Sequence, residues 1–244
     1  MAIKIIKNKK FKILASETSK QMKELNVPGV AIGIIHGKKE YATGLGITST
    51  ENPLPVMENT LFQIGSISKP FLATAVMRLV EKKKIDLDIP ITKYLPDLKL
   101  STKETTKKVT MRHLLTHTGG WFGDHFKDFG DGDDALEKIV DDLEKLPQLS
   151  PLGKIWGYNN SGFYIAGRIL EVIMKKPYAK IIKELILDPL DMKMTFFSAK
   201  DIMTYRFAVG HSAPKKHLKI IRPWTLPKSV APAGKIISNV NDML

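Results

Sequence analysis

The sequence predicts an α+β protein with an antiparallel sheet region and a largely helical region. Near the N-terminus two apolar, β-branched runs flank a glycine-containing turn, a pattern typical of a β-hairpin. After Gly65 the apolar residues recur at intervals of three and four, as on the buried face of a helix. With 244 residues and 43% hydrophobic content, the chain can bury a substantial core. The predicted parts are residues 1–63, a helical region 64–232, and residues 233–244, which begin a return to the sheet region.

The first elements follow from these patterns. An amphipathic segment runs up to Leu25, and the hairpin lies in VPGVAIGIIHGKKEYATGLGITS, with its turn at His36-Gly37-Lys38-Lys39. The helix after Gly65 is predicted from an apolar stripe. Its members are Phe71, Leu72, Ala75, Val76, Leu79 and Val80.

The middle of the chain is predicted to be helical. After a proline-punctuated stretch, VTMRHLLTHTGG predicts a short helix stopped by Gly119-Gly120. Further helices are predicted over 133–146, from Ser161 onwards, and from Tyr178 to Leu187, with SPLGKIWGYNN as a loop between the first two.

The C-terminal stretch, APAGKIISNVNDML, predicts a last helix that has barely begun. Ser238 and Asn239 are good N-cap residues, and a single turn follows them. Because so short a helix is marginal by itself, we expect the natural chain to continue.

Charge and composition narrow the classes of function. The balance of 38 Lys+Arg against 25 Asp+Glu gives a net charge of +13, but the lysines form scattered short clusters without an interleaved aromatic platform. We therefore expect no nucleic-acid partner. The absence of cysteine excludes disulfides, thiolate metal sites and a cysteine nucleophile.

The N-terminal sequence also bears on localisation. The stretch MAIKIIKNKKFKIL carries a charge every few residues, so it lacks the apolar core of a secretory signal. No apolar run approaches the roughly 20 residues that span a bilayer. A cytoplasmic location without a membrane span is therefore expected, and the oligomeric state is left open.

The first chemical candidate is the pair Ser66 and Lys69 in GSISKP. On a helix, residues three apart lie on one face, so the lysine amine can reach the serine hydroxyl. The alternative is an N-cap serine followed by a solvated lysine, and spacing alone does not separate the two. A second S-x-x-K, Ser212-Ala213-Pro214-Lys215, has no helical stripe behind it and predicts a loop.

A second candidate is Tyr158-Asn159-Asn160, just before a predicted helix. A phenol near a lysine can relay a proton, and an amide nearby can orient the amine; the alternative is a capping asparagine with a half-buried tyrosine. His113 and His117 have a spacing that metals use, but no third ligand is evident. We predict a capped structural pair, and expect no metal or other cofactor.

Together these stretches resemble the penicillin-binding-protein and serine β-lactamase superfamily, in particular its class C β-lactamase-like branch, which also holds esterases and D-amino-acid peptidases. The resemblance runs from about Val27 to the end. It rests on FQIGSISKPFLATAVMRLVEKKKIDLDIPITKYLP, VTMRHLLTHTGG, PLGKIWGYNNSGFYIAGRILEVIMKKPY, LILDPLDMKMTFF and APAGKIIS. It implies a β-lactamase/transpeptidase-like α+β fold.

The resemblance also implies roles for particular residues. Ser66 is implied to be the acylated nucleophile and Lys69 its base, with Tyr158 relaying the proton. Asn160 is implied to anchor Lys69 and the substrate amide. Trp121, beside the Gly119-Gly120 stop, is expected either to line the substrate cleft or to anchor the core.

The implied function is hydrolysis of an amide or ester through an acyl-enzyme, on a small-molecule or peptide substrate. The backbone N–H of Ser66 is one implied oxyanion donor; the other lies in the family on a later strand with Lys or His two residues before Gly. No such strand follows Gly234, so the sheet is expected to be incomplete in this chain. The alternative is an inactive, truncated homologue that binds acyl-peptide-like ligands or a protein partner.

Overall fold

The computed structural model describes residues 8–212 and 217–244, which form two compact units. The first unit contains residues up to Gln63, Met194–Thr225 and Ile237–Leu244. The second contains Ile64–Lys193 and Leu226–Ile236. The predicted helical region, 64–232, thus differs from the second unit chiefly because Met194–Thr225 pack within the first.

The helices and strands are numbered in chain order. The α-helices are α1 (Lys9–Glu24), α2 (Ser68–Glu81), α3 (Lys103–Lys108), α4 (Met111–Leu115), α5 (Ala135–Asp141), α6 (Asn160–Met174), α7 (Tyr178–Ile182), α8 (Ala199–Ile202), α9 (Ala231–Gly234) and α10 (Val240–Met243). The strands are β1 (Gly29–His36), β2 (Lys39–Gly46), β3 (Phe62–Gln63), β4 (His211–Ser212), β5 (Lys219–Ile220) and β6 (Ile237–Ser238). Within the described residues, no helix is long and apolar enough to cross a bilayer.

The first unit contains antiparallel strand pairs, and the predicted hairpin is confirmed. β1 pairs with β2 from Gly29↔Gly46 to His36↔Lys39, which leaves a two-residue turn. β3 pairs with β6, and β4 with β5, each over two residues. The sheet pairs remain separate in the described part of the chain, as expected of an incomplete sheet. The small core of this unit is formed by Leu61, Ile202 and Ile237, with Met194, Phe196, Phe207 and Trp224 packed against it.

The second unit is built around α6. This helix is buried on almost every side, because its apolar residues contact α2, α4, α5 and α9 in turn. The predicted stripe of α2 is confirmed in its centre, where Leu72, Ala75, Val76 and Leu79 are buried. Phe71 and Val80, at its ends, are partly exposed.

Several predicted helix bounds differ from the structure. The predicted helix 133–146 is α5 followed by a short 3-10 helix, Asp142–Lys145. The helix predicted to end at Leu187 begins as α7 and continues as a π-helical segment, Lys183–Leu187. Over a single turn, the spacing of apolar residues does not distinguish an α-helix from a 3-10 helix or a π-helix. α4 ends at Leu115, before the two glycines that were expected to stop it. α3 was not predicted.

Candidate active site

Ser66 lies exposed in a short 3-10 turn, Gly65–Ile67, directly before α2. Gly65 has φ +56°, a left-handed conformation that glycine adopts without steric cost. Ile236 is hydrogen-bonded to residues on both sides of the serine. Its carbonyl accepts from Ile64 N at 2.9 Å, and its N–H donates to Ser68 Oγ at 3.1 Å.

The Lys69 amine lies in the middle of the site. Its Nζ is 3.0 Å from Ser66 Oγ, 2.8 Å from Asn160 Oδ1 and 2.9 Å from the carbonyl oxygen of Ala233. The side chain is 5% exposed. The N-cap of α2 is Ile67 and has no side-chain cap bond. The alternative of an N-cap serine with a solvated lysine is therefore wrong.

The hydrogen-bonding capacity of these partners is compatible with a neutral amine at Lys69. A neutral lysine has two N–H donors and one lone pair. The oxygens of Asn160 and Ala233 accept hydrogen bonds and cannot donate them, so they take the two N–H groups. The lone pair is then directed at the hydroxyl of Ser66, which can donate its proton.

Burial favours that neutral form. Desolvation lowers the pKa of Lys69 below its ordinary value of 10.5, while the Tyr158 phenol and the Asp124 carboxylate oppose the shift. The amine also lies over two ring faces, 4.8 Å from the centre of the Tyr158 ring and 5.5 Å from that of Phe163. Ring faces attract a cation and so also oppose the loss of charge.

Asn160 is held by a partner that the sequence did not suggest. It is the first residue of α6, and its Nδ2 donates to Asp124 Oδ1 at 2.7 Å while its Oδ1 accepts from Lys69. The capping function belongs to Asn159, whose Oδ1 accepts from Gly162 N at 2.8 Å. The contacts thus form a chain from Asp124 through Asn160 and Lys69 to Ser66.

Tyr158 and Trp121 differ in exposure and in contacts. Tyr158 is 47% exposed, and its ring stacks on that of His117 with centroids 4.5 Å apart. Trp121 is 4% exposed, and its indole N–H donates to Ser161 Oγ at 2.8 Å. Between the two alternatives left open for Trp121, these contacts are those of a core anchor.

The two histidines of α4 and its end have separate partners. His113 forms a capping box with Thr110, whose backbone N–H lies 3.2 Å from His113 Nδ1. His117 Nδ1 accepts from Asn159 N at 3.0 Å. In the ranges that the structure describes, no three His, Asp or Glu side chains are grouped to hold a metal ion. Of the second S-x-x-K, Ser212 is the last residue of β4, and residues 213–215 lie outside the described ranges.

Sequence reasoning missed three contributors to this site, for physical reasons. The Ala233 carbonyl is a backbone atom 164 residues from Lys69, and any residue type supplies one. Asp124 lies 36 residues before Asn160, and no local pattern in the sequence links the two. The His117 ring was considered for metals because of its spacing from His113, whereas its contacts are aromatic.

Comparison with known proteins identifies the class of fold and then the family. The octameric penicillin-binding protein homologue from Pyrococcus abyssi superposes with a TM-score of 0.80 at 29% identity, over 96% of this chain and 54% of that one. The fold is therefore that of β-lactamases and transpeptidases. The chain belongs to the beta-lactamase family, whose model matches residues 14–244.

Curated relatives extend the comparison. Penicillin-binding protein 4 of Amycolatopsis lactamdurans is 28% identical over 223 residues, which are 91% of this chain and 58% of the relative. Esterase EstB of Burkholderia gladioli is 32% identical over 199 residues, 76% of this chain and 50% of the relative. The chain thus spans about half the length of the curated relatives it matches.

Proposed function

We propose that this protein is a serine hydrolase that cleaves an ester or amide through an acyl-enzyme on Ser66. The observation that carries the proposal is the placement of Lys69 Nζ, 3.0 Å from Ser66 Oγ, with the oxygens of Asn160 and Ala233 within reach as acceptors for the two N–H groups of a neutral amine. A lysine so placed can accept a proton. The family, which includes proteins named as esterases and β-lactamases, supports the same reaction class.

The proposed reaction has two stages. Lys69 takes the Ser66 proton as Oγ attacks the substrate carbonyl, and the Ser66 N–H stabilises the oxyanion. The bond to the leaving group then breaks as the Tyr158 phenol delivers a proton to that group and takes one in turn from the Lys69 ammonium, which becomes neutral again. A water molecule subsequently attacks the acyl-serine, which releases the acid and restores the hydroxyl. Asn160 holds the amine in line throughout.

Covalent labelling of Ser66 tests the proposal. A fluorophosphonate should form a Ser66 Oγ–phosphorus bond with loss of fluoride, and mass spectrometry should place the added mass on the peptide containing Ser66. Ser66→Ala should abolish the adduct. Ser101→Ala, at an exposed serine elsewhere in the second unit, should keep it.

The outcomes separate the two functional hypotheses. An adduct that persists in Ser66→Ala would refute the assigned nucleophile. A wild-type chain that binds a penicillin reversibly, and gains no mass from either reagent, would favour the binding-only homologue. Hydrolysis of short-chain p-nitrophenyl esters then measures turnover.

A further inference from the structure

The backbone of His117 has an unusual conformation next to the site. Its φ is +58°, in the left-handed region, just after the end of α4. Glycine is the usual residue at such a position, and another residue type costs about 1 kcal/mol or more there. Lys83 has nearly the same φ at an exposed position after α2, so it is the contacts of His117 that set it apart.

His117 holds the segment that carries Tyr158 at three points. Its carbonyl oxygen accepts from Gly157 N at 2.9 Å, and its Nδ1 accepts from Asn159 N at 3.0 Å. Between these bonds, its ring stacks on the Tyr158 ring at 4.5 Å and 29°. The residues before and after Tyr158, and Tyr158 itself, are therefore all attached to one histidine.

The contact with Asn159 requires a particular protonation state. Because Nδ1 accepts the amide proton, it must carry none, and the ring hydrogen of the neutral form lies on Nε2. Burial lowers the pKa of His117, and the charge of Lys69 lowers it further whenever that amine is protonated, so both favour this state. The ring is enclosed further by Phe163 at 5.2 Å and Trp156 at 6.0 Å.

We propose that His117 is a positioning residue that fixes the Tyr158 phenol for proton delivery to the leaving group. The inference rests on the proposed function, because it takes Tyr158 as the proton relay. It assigns to the histidine a role in orienting that relay through Asn159 N–H and the stacked ring. His117 itself transfers no proton in this scheme.

Two substitutions of His117 distinguish the contribution of its Nδ1 as a hydrogen-bond acceptor from that of its stacked ring. Glycine tolerates φ +58° and removes both contacts, so His117→Gly should fold while it frees Tyr158. Asparagine is also tolerated there, and its Oδ1 occupies the place of Nδ1. His117→Asn should therefore keep the bond to Asn159 and partly restore function. The matched control is Lys83→Gly, since Lys83 has φ +55° at an exposed position after α2.

The first measurement does not depend on activity. Hydrogen exchange of the Asn159 amide, followed by NMR, should accelerate about 10-fold in His117→Gly, as expected for a lost hydrogen bond. It should return towards the wild-type rate in His117→Asn and stay unchanged in Lys83→Gly. Unchanged exchange in His117→Gly would overturn the inference.

The second measurement uses the leaving group. A p-nitrophenolate departs without a proton, whereas methoxide needs one, so the p-nitrophenyl and methyl esters of one short-chain acid report differently on Tyr158. His117→Gly should lower kcat/KM for the methyl ester at least about 10-fold more than for the p-nitrophenyl ester. Tyr158→Phe should show the same split, and the double variant should lose little beyond either single one.

Failure of the inference about His117 and failure of the proposed hydrolase function would give different results. Equal loss on both esters in His117→Gly would mean a merely structural contact and would overturn the inference while leaving the hydrolase intact. If the wild type hydrolyses neither ester and takes no fluorophosphonate, the proposed function fails, and amide exchange still decides whether His117 holds the Tyr158 segment.

Discussion

At the residue scale, the chemistry of the site depends on whether Lys69 is neutral. Its Nζ has buried oxygen acceptors in Asn160 and Ala233 and the hydroxyl of Ser66 as its third neighbour. A cation would use all three as acceptors, and only the neutral amine can take the serine proton. The pH at which Lys69 loses its charge should therefore set the pH at which Ser66 reacts.

Removal of the amine should stop acylation. Lys69→Ala should slow fluorophosphonate labelling of Ser66 by about 100-fold or more, because the proposed general base is lost. It also leaves two buried oxygens without their donor, at a cost of about 1–3 kcal/mol in the free energy of unfolding. Labelling rates by mass spectrometry and thermal unfolding by circular dichroism measure the two effects. Lys82→Ala, at an exposed position after α2, is the control, and unchanged labelling of Lys69→Ala would contradict the assigned base.

The charge of Asp124 should shift the pH dependence of fluorophosphonate labelling at Ser66. Burial lowers the pKa of Lys69, so labelling should rise with pH and reach half its maximum below pH 10.5. Asp124 opposes that shift. Asp124→Asn keeps an acceptor for Asn160 but removes the charge, so the profile should move to lower pH.

Asp124→Ala separates the hydrogen bond from the charge. It removes the acceptor for Asn160 Nδ2 and should also slow labelling by about 3- to 10-fold at its plateau. Asp128→Asn is the control, since its carboxylate accepts from Gly130 N in the same stretch. A profile of Asp124→Asn displaced to higher pH would contradict this account.

At the scale of elements, the position of the Ala233 carbonyl depends on how closely α9 approaches α6. A Cβ added to Gly167 in α6 would lie 2.4 Å from Pro232 Cγ and 2.9 Å from Pro232 Cβ. Real Cβ contacts are never so short, and a proline ring has little freedom to move. The glycine thus permits α9 to pack where its carbonyl meets Lys69.

A methyl group at this contact should displace α9. We expect Gly167→Ala to destabilise the protein by about 1–3 kcal/mol through overpacking, despite a gain of up to about 1 kcal/mol in helix propensity. Because Ala233 then moves from Lys69, labelling of Ser66 should slow by about 10-fold. Urea unfolding and labelling rates measure both effects, with Val172→Ala on the exposed side of α6 as control. A more stable variant with normal labelling would exclude this coupling.

At the scale of the whole molecule, one of the buried ionisable groups is the carboxylate of Asp142, which is 9% exposed. Its carboxylate is bound by Lys145, by His125 Nε2 at 2.9 Å and by Lys127 Nζ at 3.4 Å. These hydrogen bonds, that of Lys145 first, lower its pKa from 3.8 to about 2, against the opposing effect of burial. His125 is adjacent in sequence to Asp124, so the network also holds the stretch that contacts Asn160.

The stability conferred by Asp142 should depend on pH in a defined direction. A carboxylate whose pKa is depressed on folding contributes fully above its unfolded pKa, and the contribution is lost as pH falls from 3.8 through about 2. Asp142→Asn should lower the free energy of unfolding by about 1 kcal/mol at pH 7, a value reduced by the exposure of two of its cations.

Urea unfolding at pH 7 and at lower pH tests this dependence. The difference between wild type and Asp142→Asn should narrow as the pH approaches 2, whereas Asp141→Asn, at the exposed neighbour, should change little at any pH. A difference between wild type and Asp142→Asn that grows as the pH falls would contradict the sign.

Local patterns predicted those parts of the fold that depend on neighbours in sequence. The hairpin from Gly29 to Gly46 and the buried stripe of α2 follow from apolar spacing over a few residues. The π-helical segment after α7 and the end of α4 at Leu115 do not follow from such spacing, because they depend on what those segments pack against. Strand pairing between Phe62 and Ser238 joins residues too distant for any local pattern.

For the candidate site, the sequence by itself determined Ser66, Lys69, Tyr158 and Asn160 as candidates, since their types and spacings are local and resemble a known family. Tertiary structure decided that Lys69 is buried rather than solvated. It did so by bringing in Asn160 from 91 residues away and the Ala233 carbonyl from 164 residues away. The physical reason is that desolvation and hydrogen-bond partners, which set a lysine's protonation, are supplied by whatever packs around it, and packing is a property of the folded chain.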